Sequence, residues 1–314
     1  MKTCLLLFLV VMAAALGACA PAPAQPATLR IGVLPILEAL PMYVAQTQGY
    51  FADEGLQVEF VPAASAAERD QLMQAGQIDG MINDLVAVLL YNRDGVRIVV
   101  VRFARTASAK DPNYRILASA QSGITGVEGL RGVPIGVSEG TVIEYVTDRL
   151  LEAEGLKAEE IETVAVPKIP DRLALLESGE LRAATLPDPL SSLALQAGAK
   201  LIIDDTAHPE FGTSVLSFRK EIIDQRPDAL RGFLRALEKA TAEVNANPAK
   251  WSTLLTEKSL VPAPLIGTYQ LPEFPSASVP SESQYADALD WAIGRGLLSS
   301  SAAYADAVDS SFLP

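Results

Sequence analysis

Cysteine, histidine and aromatic residues are scarce in this chain, whose 314 residues include 2 Cys, 1 His and 6% Phe, Trp and Tyr. Both cysteines, Cys4 and Cys19, fall within the first twenty residues, so the body of the chain holds neither a disulfide nor a thiolate metal site. With His208 as the lone imidazole a redox metal centre lacks ligands too, and neither metal nor cofactor is expected. Positive charge is also short. Against 38 Asp and Glu stand 25 Lys and Arg, a formal net charge of −13, which argues against nucleic acid and against a basic patch on anionic lipid. No P-loop, H-E-x-x-H helix or Rossmann glycine fingerprint occurs, so the chain itself is not expected to hydrolyse ATP. The apolar run from Leu5 to Leu16 is shorter than the roughly 20 residues that span a bilayer.

That run is nevertheless informative. Lys2, the run itself and Leu16-Gly17-Ala18-Cys19 follow the order of a secretory signal ending in a lipobox. Cleavage before Cys19 makes residues 1–18 a signal peptide and discards Cys4. The Cys19 thiol then carries diacylglycerol at the head of a Pro- and Ala-rich tether, residues 19–27. An uncleaved anchor helix with an incidental cysteine is the competing reading, and both place the body of the chain outside the cytoplasm. At 49% hydrophobic content and this length the remainder can build a large core divided between two domains.

One pattern occurs twice. Ile31-Gly32-Val33 ends a strand, a helix follows from about Pro41, and Glu54-Gly55-Leu56 leads into a strand over 57–61. Later Ile135-Gly136-Val137 ends a strand, a helix follows from about Val142, and Glu154-Gly155-Leu156 leads into a strand over 162–166. Each copy continues with a helix ended by glycine (Gly76, Gly179), a strand (78–82, 181–186) and an acidic loop residue (Asp84, Asp188). These are βαβ units with right-handed crossovers, and each copy predicts a small, mostly parallel sheet flanked by helices. The spacing of Leu230, Phe233, Leu234 and Leu237 after Pro227 predicts a further amphipathic helix. Residues 28–115 with 210–314 are read as one lobe and 116–209 as the other, with crossings near 104–120 and 204–214. The Pro-rich stretch 262–280 is read as a surface excursion. Ligands of open α/β sheets bind beyond the carboxyl ends of strands, so loops 34–41, 83–84, 138–141 and 186–189 are expected to meet at one cleft.

Several segments resemble the solute-binding components of ABC importers, in the SsuA/THI5-like branch of sulfonate, nitrate and thiamine-pyrimidine binders. They are Leu29–Val33, Leu40–Ala45, Gly49–Leu56, Gly76–Asp79, Leu130–Val137, Asp290–Leu297 and Phe312–Pro314. The resemblance implies a periplasmic-binding-protein-like fold of the second type, a hinged clamshell, a small-molecule ligand, a membrane permease as partner and a monomer. An enzymatic branch of this fold serves pyrimidine synthesis in eukaryotes. It is not expected here, because one His and one lipidated Cys cannot hold a redox metal.

Within the four loops the candidate ligand-binding residues are Glu38, Tyr43, Asn83, Asp84, Ser138, Gly140, Thr141 and Asp188. Most have a purely structural alternative. Thr141 with Glu144 forms a capping-box pattern, although Ser138, Gly140 and Thr141 also offer amides and hydroxyls ahead of a helix. Asp188 before Pro189 reads as an N-cap with proline in the first helical position, and Asn83 and Asp84 allow the same account. Glu38 is either exposed or a buried carboxylate in need of a partner. Three carboxylates and no arginine in these loops favour a neutral or cationic ligand rich in N–H donors, such as a thiamine-precursor pyrimidine or a flavin, over a sulfonate or other oxyanion. Stacking partners are sought among Tyr43, Tyr91, Tyr114, Tyr145 and Phe211.

A hydrolase is the rival class. Gly136-Val137-Ser138-Glu139-Gly140 matches a G-x-S-x-G nucleophile elbow, and Asp188 and His208 follow it in the order of a triad. Against it, an oxyanion loop of the H-G-G-G type is missing, and His208 lies beside Pro209 in the expected hinge.

Overall fold

The computed structural model of the chain describes residues 26–314. The expected signal peptide, Cys19 and all but the end of the expected tether lie outside the described residues.

Strands β1 (Ala27–Val33), β2 (Leu56–Pro62), β3 (Gly80–Asn83), β4 (Ile98–Thr106) and β10 (Thr213–Arg219) form one sheet in the order β2-β1-β3-β10-β4. Strands β5 (Tyr114–Ala118), β6 (Ile135–Val137), β7 (Thr163–Ala165), β8 (Ala183–Pro187) and β9 (Lys200–Asp204) form another in the order β7-β6-β8-β5-β9. The two orders are the same motif. In each, the fourth strand is antiparallel to both neighbours and comes from across a chain crossing: β10 enters the first sheet, β5 opens the second. The chain passes between sheets after Thr106 and returns after Asp204. Asp205 anchors the return, its carboxylate accepting from the amides of Asn113 (2.9 Å) and Tyr114 (3.1 Å) on the outgoing crossing.

The repeated Ile-Gly-Val has a packing reason. A Cβ on Gly32 would lie 2.6 Å from the Ile78 side chain, and one on Gly136 would lie 2.6 Å from Leu181, far inside van der Waals contact. In both copies the residue leading into the next strand rests on the glycine. An arginine lies beside each glycine as well, Arg69 and Arg172, and each stands seven residues before the glycine that follows its helix. Those helices, α2 (Ala66–Gln74) and α5 (Ile169–Ser178), flank the sheets, as do α1 (Leu40–Thr47), α3 (Leu85–Tyr91), α4 (Val142–Ala153) and α6 (Leu190–Gln196).

The 20-residue helix α7 (Pro227–Ala246) begins with proline, which needs no amide partner there. It buries Leu230, Phe233, Leu234 and Leu237 against α1 and the Tyr50–Asp53 turn. Helix α8 (Glu282–Gly294) ties the carboxyl-terminal region to α4: Trp291 Nε1 donates to Asp148 (2.7 Å), Tyr145 Oη donates to Asp287 (2.6 Å), and Arg295 pairs with Glu144 and Asp148 (both 2.9 Å).

Candidate ligand-binding cleft

A cavity of about 460 Å³ opens between the carboxyl ends of the two sheets. All four expected loops reach it, through Leu34–Ile36 and Glu38 after β1, Asn83 and Asp84 after β3, Ser138 and Thr141 after β6, and Pro187–Leu190 after β8. Its walls are largely apolar, and six prolines line it: Pro35, Pro167, Pro170, Pro187, Pro189 and Pro262. Proline lacks an N–H, so loops rich in it can wall a dry cavity without leaving donors unpaired. The stretch 262–280 is therefore more than a surface excursion: Pro262 and Ala263 form part of this wall, and Phe274 is buried in the core.

Glu38 lies on the 3₁₀ turn Leu37–Ala39, only 6% exposed, and no side chain hydrogen-bonds to it among the described residues. Burial raises its pKa, with the Arg105 charge opposing. Asn83, on the same side, accepts from Ser217 Oγ (2.8 Å) through Oδ1, while its Nδ2 is buried without an acceptor. Ser214, close by on β10, likewise carries a buried hydroxyl without a partner. The cavity thus presents the Glu38 carboxyl in an apolar shell, with the unpartnered Asn83 Nδ2 and Ser214 Oγ buried in its wall, the usual division of labour in a small-molecule site. Asp84 takes the structural alternative. It caps α3 by accepting from the Ala87 amide (2.9 Å), and burial raises its pKa against the nearby Arg69 charge.

On the opposite wall Ser138 and Thr141 line the cavity, but their polar atoms are engaged. Thr141 Oγ1 donates to the Ser138 carbonyl (2.7 Å) and accepts from the Ile143 amide (3.2 Å). Glu144 does not close a capping box on Thr141; it reaches one residue further back to the Gly140 amide (2.7 Å), because Arg295 draws its other oxygen toward α8. That amide is therefore unavailable, and Gly140 does not line the cavity. Ser138 Oγ donates to the Pro167 carbonyl (3.1 Å) and accepts from Arg172 (3.0 Å).

Asp188 differs most from expectation. Helix α6 starts at Leu190, so Pro189 precedes the first helical residue, and the Asp188 carboxylate accepts from side chains instead of capping. Arg115 (2.5 Å), Ser192 (2.5 Å), Ser191 (3.2 Å) and the Tyr269 hydroxyl all donate to it, with Arg105 3.8 Å away. Burial pushes its pKa up, but Arg115 and Arg105 with the Ser192 and Tyr269 hydroxyls outweigh burial and hold it below the usual range. An anion so thoroughly paired is no free acceptor for a ligand. The four loops hold no arginine, as read, but one reaches the cavity from elsewhere: Arg69, on helix α2, lines it.

Residues 37–251 match the family described as NMT1/THI5 like. The chain belongs to the NMT1/THI5-like family. Among its relatives, the Saccharomyces cerevisiae protein named 4-amino-5-hydroxymethyl-2-methylpyrimidine phosphate synthase THI11 is 28% identical over 225 residues, 67% of this chain and 64% of that one. The chain thus spans just under two thirds of that relative's length. Two solved structures share the fold. The alkanesulfonate-binding protein SsuA from Xanthomonas axonopodis pv. citri, bound to MOPS, superimposes with a TM-score of 0.76 at 18% identity, covering 91% of this chain and 99% of its own. The periplasmic aliphatic sulphonate binding protein SsuA from Escherichia coli does so at 0.75 and 21%, covering 90% and 97%. The periplasmic-binding-protein-like architecture expected from the sequence is the one observed.

In this NMT1/THI5-like chain the triad order does not become a triad. Ser138 and Asp188 each bond to other partners, and His208 stacks on Phe211 with Glu210 3.6 Å away, clear of the cavity lining. Tyr43 also misses the cavity. It packs edge-on against Phe60, with the Lys258 ammonium over its ring, because its position on α1 faces the sheet flank rather than the loop end. Of the aromatic candidates only Tyr114 lines the cleft; Tyr145 and Tyr91 donate to Asp287 and to the Asp70 carbonyl. Arg105, Arg115, Tyr269, Ser214 and the Arg69/Arg172 pair were not anticipated. Only the last left a signal, the shared seven-residue spacing to the helix-ending glycine.

Proposed function

We propose that this protein is an extracytoplasmic solute-binding lipoprotein, anchored through Cys19, that captures a small molecule in the cleft and delivers it to an ABC permease. It acts as a monomer whose two lobes, 28–115 with 210–314 and 116–209, close about the crossings at 106–114 and 204–213. The ligand is a neutral or cationic flat nitrogen heterocycle, of the size of a thiamine-precursor pyrimidine or a flavin ring. The observation carrying this reading is Glu38: a buried carboxyl with no side-chain partner, lining an apolar cavity whose wall also holds the Asn83 amide, its Nδ2 buried without an acceptor. A ligand edge presenting an N–H and an acceptor side by side satisfies both. The pyrimidine in the name of the yeast relative agrees with that edge.

A sulfonate or other oxyanion is the second reading. It draws on Arg69, which lines the same cavity while paired with Asp70 (2.8 Å) and the Ile82 carbonyl (3.1 Å), and on the names of the SsuA structures. Glu38 and Asp84 oppose an anion there. A thermal-shift screen of the purified protein against pyrimidines, flavins, purines, amino acids, sulfonates and nitrate separates the two. Ligand at about 100 times its Kd adds about 2.7 kcal/mol of stability. Stabilisation by a heterocycle class supports the first reading, and stabilisation by sulfonates or nitrate alone overturns it. Incorporation of a labelled fatty acid by the wild type but not by Cys19→Ala tests the anchor.

A further inference from the structure

A second cavity, about 310 Å³, lies on the far side of Asp188 from the cleft. Asp188 is the one residue lining both cavities. The second is polar where the first is apolar, built from the outgoing crossing (Lys110–Pro112), the start of β5 (Arg115) and residues 265–272.

Its cations are under-answered. Arg115, 14% exposed at the side chain, makes all three of its hydrogen bonds, to Asp188, Ser191 and Ser192, through Nη1; its Nε and Nη2 have no partner among the described residues. Arg105, 1% exposed, gives its two terminal nitrogens to the carbonyls of Asp188 and Pro112 (both 3.1 Å) and keeps a buried Nε with no acceptor. Lys110 is exposed and pairs with no carboxylate among the described residues. Two carboxylates line the cavity with these three cations, and two more, Glu38 and Asp205, act on Arg105 from outside it. Asp188 is already held by Arg115 and Tyr269, and Asp111 bonds Ser108 (3.2 Å). Within the lining the cations outnumber the carboxylates by one, and the free N–H groups of Arg115 are what an added acceptor would meet. A buried guanidinium nitrogen without an acceptor is costly, and a planar guanidinium with two free N–H groups matches the oxygens of a carboxylate or phosphate.

We propose that this second cavity is an anion site for the carboxylate or phosphate group of a small molecule, read by Arg115, Lys110 and the buried Arg105. The group is either the tail of a cleft ligand reaching past Asp188 or a separate small anion at the crossing, where it would hold the arrangement of Arg105, Asp188 and Tyr269.

The test is titration of the purified protein with inorganic phosphate and with acetate at fixed ionic strength, followed by ³¹P NMR or calorimetry. Lys110→Gln lies at an exposed position and should fold normally, and Arg115→Lys keeps the charge while removing the fork. Saturable binding that weakens about tenfold in both variants supports the site. Phosphate that competes with a bound heterocycle identifies a ligand tail, and additive binding identifies a separate anion. No saturable binding, or binding unchanged in both variants, overturns the proposal. Because heterocycle binding is measured independently, its failure would strike the cleft reading and not this one.

Discussion

Replacing Glu38 should weaken binding and strengthen the fold at once. In the free protein the carboxyl is buried and no side chain donates to it, so its charged form is disfavoured by desolvation. The sign follows from linkage. A folded pKa above the unfolded value near 4.5 means a contribution to stability that is complete below about pH 4.5 and lost as pH rises through the folded pKa. Glu38→Gln does not titrate and has the same shape. The free variant should therefore exceed wild type by about 1–3 kcal/mol at pH 8, the cost of a buried polar group left unmatched, and should converge with it near pH 4. For a chain of this size each kcal/mol moves Tm by about 2–4 °C, so the expected rise is roughly 2–12 °C. Binding moves the other way. Loss of a hydrogen bond to a charged acceptor is worth about 1.5–3 kcal/mol, so Glu38→Ala should raise Kd for a heterocycle about 10- to 150-fold, and Gln by less because it keeps one acceptor oxygen. Thermal melts across pH and calorimetric titration read the two effects separately. A Glu38→Gln protein that melts lower than wild type at pH 8, or that binds unchanged alongside Glu38→Ala, refutes the reasoning.

Tyr269→Phe removes a donor to Asp188 and should speed ligand release about tenfold; stopped-flow dissociation at the wild-type rate would show that the contact does not hold the closed form. Asp148, between Trp291 and Arg295 and near Glu144 and Glu152, has its pKa raised by burial to about 6. Wild type should thus gain up to about 3 kcal/mol as pH falls through 6 to below about 4, and a pH-melt series on Asp148→Asn should lose most of that gain. Ser138 should not react with a fluorophosphonate, while Ser138→Ala, which strips a partner from buried Arg172, should lower stability by about 1–3 kcal/mol; labelling would reopen the hydrolase. Gly32→Ala and Gly136→Ala should each cost about 1–3 kcal/mol by denaturant melt, and a neutral result at either would break the packing explanation of the repeat.

How much of this was legible beforehand varies by residue. The loops that meet at the cleft could be read because each follows a strand, and chain order with crossover handedness dictates where strand ends point. Glu38 was singled out but could not be declared buried, since the groups acting on it, Arg105 and Asp188, lie 67 and 150 positions away in the chain. Tyr43 was misplaced for a related reason. Its number puts it beside the loop, while the rotation of α1 turns it toward Phe60. Asp188 shows the larger gap. A carboxylate before a proline looks like a cap, and nothing local announces that Arg115, 73 positions earlier, and Tyr269, 81 positions later, will both claim it.

By itself the sequence determined the architecture: alternation of strand and helix, the doubled Ile-Gly-Val and the glycines closing helices are local patterns that act through backbone geometry and near-neighbour packing. Only the tertiary structure decided which polar groups in the cleft are free. That depends on which donors and acceptors find each other across the fold, and strands and helices far apart in the chain supply the arginines and the tyrosine that leave Asp188 satisfied and Glu38 without a side-chain partner.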